Sequence, residues 1–231
     1  MTIVAVSGYQ FAVCRCLLSV YLMVHFLGLL PYGSELFSGV GMLPDPSVLP
    51  TWGVLPNLFS ISDAPGMVVA VLIGGVLLAV CLAVGWQRRW AAFALWLVWA
   101  SLFNRNILIS NPSLAYIGLI LLVLAALPRG EPLALYPRAK VWHLPQSVYW
   151  ALLVALMGGY TVSGLHKLTA PTWVDGTALT HVLSLPLARD YFLRDLLLNS
   201  PEFVIKLMTW GALAMEILAL PLVLFRPTRR W

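Results

Sequence analysis

Charge is what this chain has least of. Only 10% of its residues are Asp, Glu, Lys or Arg, against 61% that are hydrophobic, and the mean hydropathy is +0.89. Soluble domains carry charge on about a quarter of their residues, so a water-exposed globule is excluded and an integral membrane protein is indicated. Long polar segments are equally scarce. Nearly all of the 231 residues belong to apolar runs or to the links between them, which leaves little chain for a separate soluble domain. Cysteine is rare too: Cys14, Cys16 and Cys81 sit inside apolar runs, poor positions for a disulfide framework or a CxxC redox pair. Cys14 and Cys16 would point to different faces of a helix, a weak metal site. All three cysteines are read as packing residues, and no metal is expected. Basic residues outnumber acidic ones by 14 to 9, but they gather at the ends of apolar segments, where membrane orientation places them. A nucleic-acid partner is therefore not expected.

What the chain does have is long apolar runs. Crossing about 30 Å of hydrocarbon takes roughly 20 residues of helix, and six stretches approach that: residues 11–31, 65–86, 90–109, 113–127, 147–168 and 203–225. The fourth is short and flanked by Pro112 and Pro128. The first contains Arg15 and lacks the layout of a cleaved signal, so it is expected to remain as a span. The predicted fold is all-α, a polytopic transmembrane bundle of about six spans forming one membrane domain over 1–231. The long link containing LFSGVGMLPDPSVLP is apolar yet rich in Gly and Pro, which suits a re-entrant or interfacial cap. The link ALTHVLSLPLARDYFLRDLLLNSPE predicts short interfacial amphipathic helices, with Asp190 and Arg194 spaced as a helical pair. Ser200, Pro201 and Glu202 read as N-cap, first helical residue and first-turn acid of the last span.

Charge orients the bundle. With the N-terminus inside, the inner links hold Arg88, Arg89, Arg129, Arg138, Lys140, Arg226, Arg229 and Arg230, with Glu131 as their one acid. The outer segments hold Arg105, Lys167, Arg189, Arg194 and Lys206 against Glu35, Asp45, Asp63, Asp175, Asp190, Asp195 and Glu202. Cytoplasmic links are enriched in Lys and Arg, so both termini are expected in the cytoplasm of a multi-pass inner-membrane protein. The segment GLHKLTAPTWVDG, 164–176, then faces outward.

Ionisable groups within spans cost about 2.5–3.5 kcal/mol on insertion scales, and each calls for a partner or a function. Arg15 and Glu216 stand at depths that extended side chains could bridge, which predicts a structural ion pair between the first and last spans or a proton relay. His25 has no second histidine at its depth, so it is read as hydrogen-bonded within the bundle rather than as a haem ligand. Asn104, Arg105 and Asn106 mark either a hairpin turn with a snorkelling arginine or the polar wall of a cavity. Tyr160, Gly164 and Lys167 share one face of the fifth span, with glycine allowing close approach of a neighbour. A lysine at the hydrocarbon edge either snorkels or serves as a base. His166 and Asp175 stand close enough in sequence to tune Lys167.

The segments YTVSGLHKLTAPTWVDGTAL and WGALAMEILALPLVLF, with GVGMLP and FNRNILISNPS, resemble the HTTM domain, the membrane module shared by vitamin K-dependent gamma-carboxylase and many bacterial proteins. The resemblance covers nearly the whole chain and is most specific in the lysine–tryptophan–glycine block. In the carboxylase, the second lysine of a pair at this block is implicated as the base of the vitamin K hydroquinone cycle. That position is Lys167 here, and His166 replaces the first lysine. The resemblance thus implies Lys167 as catalytic base, with His166, Trp173, Asp175, Asn104, Arg105 and Asn106 around a quinone or vitamin K-like lipid. The carboxylase's large lumenal domain has no counterpart in this sequence, so peptide carboxylation is not expected. The rival expectation is a non-catalytic structural or assembly subunit of a larger respiratory or photosynthetic membrane complex, packed among membrane-protein partners and lipid.

Overall fold

The structure is a computed structural model that describes residues 6–49, 53–54, 56–109, 111, 113–135, 141–186 and 188–225. Arg138, Lys140, Arg226, Arg229 and Arg230, which weigh in the charge asymmetry, lie outside the described residues. The described chain is helical, with one isolated bridge between Ser7 and His143 and no strand. It divides into two compact units, residues 1–149 and 150–231.

The first unit is built on four long helices. α1, Gly8–Leu29, opens with a reciprocal cap in which Ser7 Oγ accepts from Gln10 N and Gln10 Oε1 accepts from Ser7 N. A single 3-10 turn at Leu30–Tyr32 joins it to the short α2, Gly33–Phe37. α3, Pro65–Val84, starts on a proline and ends at Gly85, whose φ of +72° only glycine adopts freely. α4, Arg88–Arg105, and α5, Ser113–Ala126, follow. The buried face of α1 runs Phe11, Arg15, Ser19, Leu22, Phe26, at the three- and four-residue spacing of one helix stripe. It meets Val68, Leu72, Gly75, Ala79 and Leu82 of α3, and a side chain at Gly75 would strike the Phe26 ring. α4 is buried on most of its circumference, packing on α3 and α5 as the centre of the unit.

The second unit holds α6, Gln146–Lys167, which begins just before the boundary, then α7, Pro171–Val174, α8, Ala178–Ser184, α9, Phe192–Leu198, and α10, Glu202–Leu224. Asp190 and Arg194 do pair, from just before α9 into its first turn. The N-cap of α10 departs from expectation. Pro201 takes that place, while the Ser200 hydroxyl donates back to Leu196 O at 2.7 Å, because the chain arrives from the end of α9 with that carbonyl in reach.

By length and hydropathy, residues 8–37, 65–84, 146–167 and 202–224 can cross a membrane. α4 carries arginines at both ends, and α5 at 14 residues extends about 21 Å. Six long helices are compatible with about six spans, and the protein is a membrane protein.

Three fully buried arginines organise the first unit. Arg15 donates to Leu82 O at 2.6 Å, Ala83 O at 3.0 Å and Leu133 O at 2.6 Å. Arg88 donates to Leu124 O, to Leu127 O at 2.9 Å and to Pro128 O at 2.6 Å, so it caps the end of α5. Between the two lies Glu131, with Oε1 2.7 Å from Arg88 Nε and 3.9 Å from Arg15 Nε. The partner expected for Arg15 was Glu216; the structure gives it Glu131, because the link after α5 folds in over the Arg15 head group. Removing one member of a buried ion cluster leaves uncompensated charge, which costs about 3–5 kcal/mol. Glu131→Ala should therefore lower the detergent-solubilised melting temperature far more than Glu35→Ala, read by tryptophan fluorescence on heating.

Candidate functional site

Lys167 is the last residue of α6. The chain then turns through Leu168, Thr169 and Ala170, each amide bonding back to the carbonyl three residues earlier, and Pro171 opens α7. This reversal brings Trp173 under the lysine, with Lys167 Nζ 4.2 Å from the ring centroid, a cation–π contact. On the other side Nζ meets both oxygens of Glu216, at 2.6 and 2.7 Å. The two side chains are 25% and 21% exposed, so the pair is neither sealed in the core nor free in solvent. Ser163 Oγ lies 3.4 Å from Glu216 Oε2.

Two features of sequence hold α6 against α10 here. Gly164 is the first: a Cβ at this position would lie 2.9 Å from Ile217 N and 3.0 Å from Glu216 Cβ. The close approach expected of this glycine is realised, and the backbone contact brings the carboxylate within reach of Nζ. Pro221 is the second. Lacking an N–H, it leaves the Ile217 carbonyl four residues earlier without its helical donor. The Thr161 hydroxyl fills the gap, lying 3.2 Å from both Glu216 O and Ile217 O while its oxygen accepts from Leu220 N at 3.1 Å. A threonine on one helix thus satisfies the proline-broken turn of the other.

The remaining site residues fall into three places. His166 is exposed beside Lys167. Asp175 accepts from Thr177 N at 2.9 Å and Thr177 Oγ1 at 2.6 Å, and those bonds hold its carboxyl below the usual carboxylate range. At neutral pH it is an anion committed to the turn into α8. Next to it Gly176, at φ +84°, packs against Lys206 and Trp210, and Trp210 Nε1 donates to Val174 O at 3.1 Å, fixing α7 to α10.

Asn104, Arg105 and Asn106 belong to the first unit and are buried there. Arg105 donates to Leu43 O at 2.7 Å and faces Asp63 Oδ2 at 3.5 Å; Asn106 Nδ2 donates to Leu36 O at 2.8 Å and its Oδ1 accepts from Leu108 N. They therefore pin the 36–43 link onto α4. The Asn104 side chain has no hydrogen-bond partner among the described residues. Asn106 also lines a cavity of about 70 Å³ with His25, Phe37 and Trp99; His25 sits 5.0 Å from the Trp99 ring.

Sequence reasoning left out Thr161, Ser163 and Glu131. A hydroxyl one turn from Gly164, and a proline inside the last apolar run, were the available signals for Thr161. For Glu131 the signal was its being the one acid among the inner arginines. Among the described residues no cluster of His, Cys, Asp and Glu could hold a metal ion.

A sequence profile of the HTTM domain matches residues 11–231. The chain belongs to the HTTM domain family. No curated protein and no solved structure matches this HTTM chain.

Forcing a side chain into a close helix contact costs about 1–3 kcal/mol. Gly164→Leu should lower the melting temperature and part Lys167 from Glu216. Gly158→Ala, where the added carbon meets only Leu220 Cδ2 at 4.0 Å, should not lower the melting temperature.

Proposed function

We propose that this HTTM protein handles protons for a quinone-type lipid, with Lys167 as the base. In this reading it is a multi-pass inner-membrane protein with both termini in the cytoplasm and the Lys167 site toward the outer side. The observation that carries it is the Lys167–Glu216 pair, partly accessible at the end of a membrane helix and backed by an aromatic face. The family resemblance supplies the ligand class. Ionisable residues within membrane helices mark functional sites by default.

The side chains present suit such a headgroup: a flat indole 4.2 Å from the amine, and an exposed hydroxyl one helical turn before it. A quinol-type lipid would bring acidic phenolic hydroxyls. Lys167 Nζ would accept a proton from one of them, the O–H bond breaking as the N–H bond forms. Glu216 holds Nζ in place and, at 2.6 Å, can take up the proton that Nζ must first release. Trp173 orients the ring plane, and Ser163 offers a donor to the headgroup oxygen. His166 and Asp175 contribute the local surface rather than contacts to Nζ.

The purified protein in detergent should bind the probe menadiol and hold it as the menadiolate anion, its proton passing to Nζ with no net exchange with solvent. A hydrogen bond to a charged group is worth about 1.5–3 kcal/mol, so Lys167→Met should weaken binding by roughly ten-fold or more and abolish the ionisation of bound menadiol, measured by equilibrium dialysis and ultraviolet absorbance. Glu216→Gln, which leaves Nζ no carboxylate to release its proton to, should shift the pH profile of that ionisation. Menadiol binding unchanged in Lys167→Met sinks the base assignment.

A second reading, a non-catalytic subunit of a larger respiratory or photosynthetic complex, is favoured by one observation. Only 6% of the α6 window and 11% of the α10 window is buried, against 33% for α3, so both helices present much apolar surface to lipid or protein neighbours. Full rescue of a deletion strain by Lys167→Ala, with partners still co-purifying, selects that reading.

A further inference from the structure

The first unit carries a second polar feature where α4 begins and α5 ends. Arg89 and Trp90 stand in the first turn of α4, Phe93 one turn further along, and Ala125 and Arg129 at the end of α5 and just past it. Together they line an open cleft of about 280 Å³. Arg89 donates its Nε–H to Ala125 O at 2.9 Å, and this is the bond its guanidinium makes among the described residues; a guanidinium has five N–H donors. Arg129 donates to Gln87 Oε1 at 2.8 Å. Among the described residues no carboxylate lines the cleft: the acid nearest in sequence to Arg129, Glu131, is 1% exposed and held by Arg88 and Arg15. The described lining of the cleft therefore carries two guanidiniums and no acid.

Its walls are apolar and outward-facing. Trp90 is 69% exposed and Phe93 45%, and Phe93 stacks at a tilt on Trp96 with centroids 5.7 Å apart. Arg89 and Phe93 differ by about 6 Å along the helix axis, so the guanidiniums stand at the helix end and the aromatic wall descends from them into the span. Tryptophan beside arginine at a span end is the arrangement of a membrane boundary. Two guanidiniums over a descending apolar wall complement a phosphate that carries hydrocarbon chains.

We propose that this cleft binds the headgroup of an anionic phospholipid, the phosphate between Arg89 and Arg129 and an acyl chain along Trp90 and Phe93. Native mass spectrometry of the full chain, presented with equal dioleoylphosphatidylglycerol and dioleoylphosphatidylcholine, tests it. The wild type should retain the anionic lipid roughly ten-fold over the zwitterionic one, and added salt should erode that preference. Arg89→Gln with Arg129→Gln should bring the two lipids to parity, while Trp90→Ala should weaken retention of both. If the double variant does not fold, as judged by its helical circular dichroism, Arg89→Gln alone carries the comparison and should give an intermediate preference. Equal retention of both lipids by the wild type overturns the proposal, as does an unchanged preference in the Gln variants. Displacement of the glycerol lipid by excess inorganic phosphate would also overturn it, by making this a free-anion site. None of these readouts involves Lys167 or menadiol.

Discussion

A guanidinium buried among apolar helices must find oxygens, and the first unit is arranged around that requirement. Arg15 and Arg88 are each fully buried, and between them they engage six backbone carbonyls and one carboxylate. Those carbonyls belong to the ends of α3 and α5 and to the link after α5. Helix C-termini have unsatisfied carbonyls in any case, so the arginines and the helix ends resolve each other's deficit. The geometry leaves little freedom. Gly85 must lack a side chain because Arg15 Nη1 would lie 2.7 Å from its Cβ, and Ala134 closer still. Ser19, one turn beyond Arg15, bonds back to the Arg15 carbonyl and stays out of the cluster. Glu131 offsets one of the two charges, and the carbonyl dipoles serve the other.

The second unit solves a similar problem with the opposite economy. Its ion pair between long helices, Lys167 with Glu216, is partly open and made possible by a glycine on one helix and a proline on the other. Gly164 sets the spacing between α6 and α10; Pro221 frees a carbonyl that Thr161 then binds. The same backbone approach that lets the helices touch places Glu216 opposite Nζ. Here polarity is left at the surface of the pair, where a ligand can reach it, whereas in the first unit it is consumed in holding helices together.

How much of this was legible in the sequence follows from the range of each interaction. Span positions were readable because hydrophobicity alone sets them: residues 65–86 and 147–168 became helices at Pro65–Val84 and Gln146–Lys167. The shared face of Gly164 and Lys167 was readable from helical period. Partner choice was not. Depth matching suggested Arg15 with Glu216, yet depth constrains only one coordinate, and the link after α5 delivered Glu131 from a region that reads as a polar loop. Nor could the sequence show that Asp175 is committed to Thr177 and not to Lys167, since an aspartate two residues before a threonine serves a turn or a site equally well until the chain direction is known. The family assignment was the most secure part, because the lysine–tryptophan–glycine block is a pattern of residue types and requires no geometry.

The contrast between the two charge clusters also bears on what Lys167 can do. A buried arginine cannot give up its proton in a protein, so Arg15, Arg88 and Arg105 are fixed cations whose roles are positional. Lysine is the cation that can exchange one, and Lys167 is the one described lysine with both a carboxylate at hydrogen-bond distance and an aromatic face against Nζ; Lys206, the other described lysine, pairs with the exposed Glu202 one turn away on its own helix. If the Lys167 contact were merely an anchor between α6 and α10, an arginine would serve it better, with a bidentate fork and no exchangeable proton. A lysine at this point, held by a residue able to receive its proton, is the choice that leaves proton transfer open.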